Sequence, residues 1–305
     1  MNSNYDIVII GAGTAGLSAA IYGVRAGLSV LVVESQMHGG QIINTPDIVN
    51  YPGIEKISGY EFANQLYQHA TNLGAKIIYE EISDLNLLGR IKTITAGTQT
   101  YYAKTVIIAT GAKHRDLGCA GEEEWKGRGV SYCAICDGNF FQGQDVCVVG
   151  GGNTALEDAL YLSKFCRTVH LIHRSKQFKA SPMYVQQAQN TNNIVFHLEY
   201  EVTKISGMDQ VQQVMISHKG QEESLSVVGV FVAIGSQPNN GMFSRWVEMD
   251  KYGYIVAGED CKTNIPGVFV AGDTRTKKVR QLVTAAADGA VAATGCANFI
   301  SHSFF

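Results

Sequence analysis

Apolar and polar positions alternate between two periods along this chain, and one design recurs. The first copy runs from Tyr5 to Glu34. A short apolar run (DIVII) predicts a buried strand, the glycine cluster GAGTAG predicts a tight turn, LSAAIYGVRAG has helical spacing, and SVLVVE predicts a second strand. The second copy runs from Asp145 to Arg174, with DVCVV, GGGNTA, LEDALYLSKFC and TVHLIHR in the same order. Each is a strand–helix–strand unit of about thirty residues. The β-branched runs TVIIATGA (105–112), VVGVFVAIG (227–235) and VFVAGD (268–273) predict further strands that end in glycine turns. Segments 76–104 and 194–226 alternate and hold turn residues, which predicts antiparallel additions to each copy. Arg280 to Ile300 is alanine-rich with apolar residues at helical spacing, which predicts a helix packed on the first copy.

Duplication of this unit predicts an α/β fold. Two Rossmann-like dinucleotide-binding domains, each a three-layer sandwich, are expected, the second inserted in the first. The first would comprise residues 1–115 and 242–305, and the second residues 116–241. No Gly/Ser/Pro-rich linker marks the crossings, which are expected near Lys113 to Gly121 and near Pro238 to Phe243. Two short crossings suit a hinge.

In GAGTAG, Gly11 permits the turn, Gly13 lets backbone approach a pyrophosphate, and Gly16 lets helix and strand pack closely; Thr14 and Ala15 lie at the helix start, where free N–H groups face an anion. Glu34, followed by Ser35, ends the second strand 23 residues after Gly11, where an acid accepts a ribose 2′-hydroxyl and repels a 2′-phosphate. In GGGNTA the equivalents are Gly150, Gly152 and Ala155, with Asn153 and Thr154 at the helix start. The following strand ends in His173 and Arg174, with Lys176 and Lys179 beyond, which favours a 2′-phosphate. The first site therefore fits FAD and the second NADPH.

Seven cysteines in 305 residues, an odd number thinly spread, do not make a secreted disulfide scaffold. Only Cys133 and Cys136 are close in sequence. Two intervening residues allow a small disulfide ring or two ligands to one metal. Zinc would need about four ligands. His170 and His173 lie on one strand and face opposite ways, so no metal is expected. A catalytic dithiol fits better: one thiolate attacks a disulfide and the other resolves the mixed intermediate. Asp137 follows directly and suits proton transfer, or equally a helix-start charge. A net charge of −3 with no long basic run argues against nucleic acid. No leader, and no apolar stretch sized for a membrane span, is expected, so a cytoplasmic location is.

These motifs together resemble low-molecular-weight thioredoxin reductases over nearly the whole chain. The matching stretches are GAGTAG with Glu34, GGQ (39–41), VNYPG (49–53), ATGA (109–112), CAICDG (133–138), GGGNTA (150–155), FVAIGSQPN (231–239), GVFVAGD (267–273) and RQLVTAAADG (280–289). The resemblance implies that Gly40, Gln41, Thr45, Asn50, Thr110, Gly111, Gly272, Asp273, Arg280, Gln281 and Leu282 lie along the flavin. Asp273 would hold its ribitol, and Ile234 and Gly235 would also be cofactor-binding. It implies that Cys136 sits against the flavin, that Cys133 attacks the disulfide of thioredoxin or a thioredoxin-like protein, and that Asp137 is the acid/base. It also implies a homodimer, and a swing of the dithiol domain between hydride transfer and disulfide reduction.

One motif departs from the family. Its basic stretch is typically His-Arg-Arg-x-x-x-Arg, and here HRSKQFK keeps Arg174 but has Ser175 and Lys179 in place of two arginines. Lysine binds phosphate as a point charge. NADPH remains the expected donor, with NADH as the alternative. Rival readings are a ferredoxin-driven reductase, an alkyl hydroperoxide reductase flavoprotein, a dithiol oxidase and a non-enzymatic flavin redox sensor.

Overall fold

A computed structural model describes residues 3–304 of the chain. It divides into two compact units, Met1–Lys113 with Gln237–Phe305, and His114–Ser236. The connections thus fall two to five residues earlier than the sequence suggests. They pair with each other as a short ribbon of Ala112–His114 and Ser236–Pro238.

The first unit is built on a seven-stranded sheet. Strand Asn4–Ile10 lies between Val30–Glu34 and Gln99–Ile108, all parallel, and Lys76–Tyr79 extends the parallel run beyond Val30–Glu34. Gln99–Ile108 is ten residues long, and on the edge away from Asn4–Ile10 it serves two further partners. Its first half pairs antiparallel with Lys92–Ala96, and its last three residues pair parallel with Val268–Val270. Both faces are covered, which is why these strands read as continuous apolar runs. Alternate residues Ile7, Ile9, Val30 and Val32 pack under helices Thr14–Arg25 and Leu282–Ser303. Their neighbours Val8, Ile10, Leu31 and Val33 pack with Leu85, Ile94, Phe243 and Val247 on the opposite face.

Helix Leu282–Ser303 is 22 residues long, with a mean hydropathy of 1.2, and by length and composition alone it could cross a membrane. That corrects the expectation that no stretch has this size. Its alanines raise the mean hydropathy, but the helix works as a core helix. Ala285, Ala292, Ala293, Cys296 and Ile300 are buried, and a side chain at Gly289 would overlap the Ala15 carbonyl.

The second unit repeats the plan on five parallel strands, ordered Ile194–Leu198, Thr168–His173, Asp145–Val149, Gly229–Val232 and Val130–Ser131. Val146, Val148, Val169 and Leu171 pack on helix Asn153–Leu162. Cys147, Val149, Ile172 and Val230 pack on the antiparallel sheet Glu201–Gly207, Val211–His218 and Gln221–Leu225.

In both units the antiparallel addition starts later than expected. Lys76–Tyr79 and Ile194–Leu198 join their sheets in parallel. Each is reached through a crossover helix, Gly59–Asn72 or Pro182–Gln189, and a helical crossover returns the chain in the same direction. Ser58 caps the first of these through its hydroxyl to the Glu61 amide, and Pro182 opens the second.

Candidate active site: two dinucleotide folds and a dithiol

In the first unit, Gly11 has φ +105°, and a Cβ there would lie 2.5 Å from the Ala109 carbonyl oxygen. Only glycine fits both demands. A Cβ at Gly16 would overlap the Gly11 carbonyl, so helix Thr14–Arg25 starts as close to the strand as backbone allows. Gly13 precedes that helix in extended conformation with no side-chain cap, and its Cβ position has nothing nearer than the Gly39 oxygen at 4.0 Å. Thr14 and Ala15 are buried beside it. The helix thus begins without a side-chain cap, which leaves its first N–H groups for an anion.

Glu34 accepts hydrogen bonds from the Ala12 amide (2.7 Å) and the Gln36 amide (3.0 Å). A carboxylate has about four acceptor positions, so capacity for a ribose hydroxyl remains. Ser35, Gly40 and Gln41 are exposed and Thr45 is half-buried, its amide donating to the Ile42 carbonyl. Asn50 donates to Gln281 at 3.1 Å, and Gln281 closes a capping box with Thr284 at the start of the C-terminal helix. Leu282 packs on the small cluster of Ile48, Ile57 and Phe62. Asn50 is thus brought to Gln281, 231 residues away in sequence.

Asp273 carries the most direct sign of a ligand. Its Oδ1 is buried and has no hydrogen-bond partner. Burial holds its carboxyl above the usual range, and the charges of Lys277 and Arg280 oppose that shift. A buried acceptor without a donor is costly, so a ligand hydroxyl fits here. Gly272, at φ +82°, precedes it, and the Arg280 guanidinium lies over the Tyr254 ring at 4.2 Å.

The Thr110 side chain is engaged within the protein. Its hydroxyl donates to Asn240 Oδ1 (3.1 Å) and contacts the Thr274 hydroxyl (3.0 Å). Asn240, 2% exposed, donates in turn to the carbonyls of Gly253 and Thr274. This lock holds the Thr110–Gly111 turn against the strand end that carries Asp273. Gly111 keeps φ +67° and an open Cβ position.

The inserted unit repeats the loop with different contents. Gly152 precedes helix Asn153–Leu162 uncapped, and its Cβ position is open. Ala155 is fully buried at the third loop position and Thr154 is exposed. Asn153 accepts the Ser181 amide at 2.7 Å, and the Lys179 amide donates to the Gly151 carbonyl at 2.8 Å, so the basic segment folds back over the loop. His173 does not join it as a charge. Its ring fills the space a Gly151 side chain would need, stacks on Phe178 at 5.3 Å, and donates to the Gln177 carbonyl at 3.1 Å. Burial and the charges of Arg174 and Lys179 lower its pKa, so it is a neutral brace. Arg174, Lys176 and Lys179, all exposed, carry the positive charge. Ile234 is exposed and Gly235, at φ +99°, accepts the Arg115 amide.

Cys133 and Cys136 form a disulfide with Cα atoms 5.3 Å apart. Cys133 begins a single helical turn, Ala134–Asp137, and its Sγ accepts the Cys136 amide at 3.2 Å. The Ser131 hydroxyl accepts the Cys133 amide (3.0 Å) and donates to Asp137 (2.6 Å). Burial raises the Asp137 pKa and the Ser131 hydrogen bond opposes it. Tyr132, next to Cys133, reaches the carboxylates of Asp116 and Glu122, each at 2.9 Å. The other five cysteines are unbridged, and four are buried. Burial pushes the thiols of Cys119 and Cys166 up to about 11 and those of Cys261 and Cys296 to about 12, so they stay protonated and unreactive.

Sequence reasoning missed Asn240, Ser131 and a buried ionic cluster of Arg275, Lys277 and Asp288. A signal for the last existed. Asp288 is the lone charge in an apolar helical stretch, at a position facing the core.

Comparison with known proteins agrees with this geometry. Residues 5–289 match the family described as pyridine nucleotide-disulphide oxidoreductase. The thioredoxin reductase of Peptoclostridium acidaminophilum is 40% identical over 100% of this chain and 99% of its own, and that of Listeria innocua is 41% identical over 98% and 94%. The crystal structure of thioredoxin reductase from Streptococcus pyogenes superposes with a TM-score of 0.94 at 41% identity, covering 99% of this chain and all of that one. The family uses flavin and nicotinamide cofactors. The chain belongs to the pyridine nucleotide-disulphide oxidoreductases, in their low-molecular-weight thioredoxin reductase branch.

Proposed function

We propose that this chain is an NADPH-dependent reductase of thioredoxin or a thioredoxin-like protein, with FAD held by the first unit. The observation that carries the reading is the Cys133–Cys136 disulfide with a half-buried, serine-bound carboxyl one residue beyond it. A bound flavin supplies the two-electron relay between a hydride donor and a disulfide. Gly11, Gly13 and the start of helix Thr14–Arg25 would receive its pyrophosphate, Glu34 a ribose hydroxyl, and Asp273 the polyol chain. Arg174, Lys176 and Lys179 would grip the 2′-phosphate of the donor.

Once reduced, Cys133 attacks the partner's disulfide as a thiolate, which the amide of Cys136 helps to stabilise. A mixed disulfide forms and the partner's other sulfur leaves as a thiolate. Asp137, whose raised pKa favours its protonated form, gives that thiolate a proton, with Ser131 fixing its direction. Cys136, giving its proton to the now ionised Asp137, then attacks Cys133, releasing the second partner sulfur as a thiolate and restoring the internal disulfide. Hydride delivery and dithiol reduction each need close approach to one flavin, and the residues for both belong to the inserted unit. Turnover therefore calls for alternation at the two connections. A homodimer and a cytoplasmic location belong to the same proposal, and five unbridged cysteines suit a reducing compartment.

The purified protein is expected to be yellow, to bleach with NADPH in the absence of oxygen, and to regain its colour on adding oxidised thioredoxin. Failure of both NADPH and NADH to bleach it would contradict the proposal.

A further inference from the structure

Beneath the Gly272–Asp273 turn lies a charged cluster that the sequence motifs leave unassigned. The Asp288 carboxylate projects from the C-terminal helix and accepts four hydrogen bonds. Its donors are the Gly272 amide (2.9 Å), Arg275 Nε (2.9 Å), Arg275 Nη2 (2.8 Å) and Lys277 Nζ (2.8 Å). The side chains of Arg275, Lys277 and Asp288 are 2%, 5% and 8% exposed, so the group is dry. Glu259, 3.5 Å from Arg275, is 95% exposed and contributes a solvated charge only.

Two features make this more than a structural ion pair. First, the clamp grips the residue on one side of Asp273 through its amide and the residue two beyond it through a bidentate guanidinium. The turn has little slack: a Cβ at Gly272 would lie 2.8 Å from that of Ala15. Asp273 is therefore held from both sides. Second, the buried charges do not cancel among the three. Arg275 and Lys277 are two cations against one carboxylate. Asp273 supplies the second negative charge, and its unpartnered Oδ1 is the acceptor described above.

We propose that Asp288 and Lys277 are positioning residues for Asp273. They fix its turn, and the buried cation of Lys277 favours its ionised carboxylate, which accepts a hydroxyl of bound flavin. The inference rests on the flavin reading of the first unit. The charged groups acting on Asp273 are Lys277, Arg280 and Asp288, and burial opposes its ionisation. Without Lys277 the ionised form loses support. As pH falls, Asp273 then takes up its proton at a higher pH than in the parent, and the hydrogen bond to flavin is lost earlier.

The test is FAD affinity of the Lys277→Met variant against the parent from pH 5 to pH 8, read by the fluorescence of released flavin. Lys277→Met leaves the Arg275–Asp288 pair intact. Asp288→Asn would strand two buried cations and endanger folding. FAD binding by Lys277→Met is expected to approach the parent's at pH 8 and to be about tenfold weaker at the acidic end, the worth of one charge-assisted hydrogen bond. A pH profile superimposable on the parent's, or a weakening equal at every pH, would overturn the proposal. A parent that takes up no FAD would instead contradict the flavin reading itself.

Discussion

At the third position of the glycine loop the first unit has Gly16 and the inserted unit Ala155, and the two helices sit accordingly. A methyl group at Gly16 would overlap the Gly11 carbonyl, whereas the methyl of Ala155 is buried without conflict. The charges differ in the same sense. Those of the first unit, on Arg275, Lys277 and Asp288, are buried and bonded to one another, and the turn that carries Asp273 is tied to them. Those of the inserted unit, on Arg174, Lys176 and Lys179, stand in solvent on a loop. A tight, preorganised, dry site suits a group that stays through many turnovers. An open site with exposed cations suits one that must enter and leave, because exposed charges steer encounter without a large desolvation cost.

The strongest way to break this comparison is to exchange the third-position residues. Gly16→Ala forces backbone apart and is expected to cost about 3 kcal/mol of stability and to yield protein without flavin. The reciprocal Ala155→Gly removes one methyl from a helix and should cost about 1 kcal/mol while leaving flavin content unchanged. Thermal denaturation and the visible spectrum of both variants measure this. Equal losses in the two would mean that the loops do not differ in closeness of grip. A smaller effect sharpens the assignment of the second site. Arg174→Ala should raise the KM for NADPH about tenfold and leave kcat and the NADH parameters unchanged, since one exposed charge-assisted contact is removed. An unchanged NADPH KM would place the 2′-phosphate elsewhere.

Much of this was legible from local pattern. The duplicated strand–loop–helix units, the CxxC, Glu34 and the C-terminal helix all declare themselves through spacing, because each is set by neighbours within about thirty residues. What was hidden depends on contacts distant in sequence. His173 read as part of a basic motif, yet its ring is consumed by Gly151 and Phe178, a role that spacing cannot reveal. The hydroxyl of Thr110 bonds Asn240, 130 residues away, a partner that no local pattern reveals. The parallel placement of Lys76–Tyr79 and Ile194–Leu198 follows from crossover helices whose weaker patterns went unread. Asp288 was visible as an acid among alanines, but its four donors come from a loop that only the fold brings near.

The claim on which the rest depends is that electrons leave the flavin only through Cys136. Anaerobic stopped-flow reduction of the Cys136→Ser variant by NADPH, followed by oxidised thioredoxin, tests it directly. The flavin should bleach at close to the parent's rate, and thioredoxin should then restore no colour. Recovery of the yellow form at the parent's rate would contradict the account and move the disulfide chemistry away from this pair.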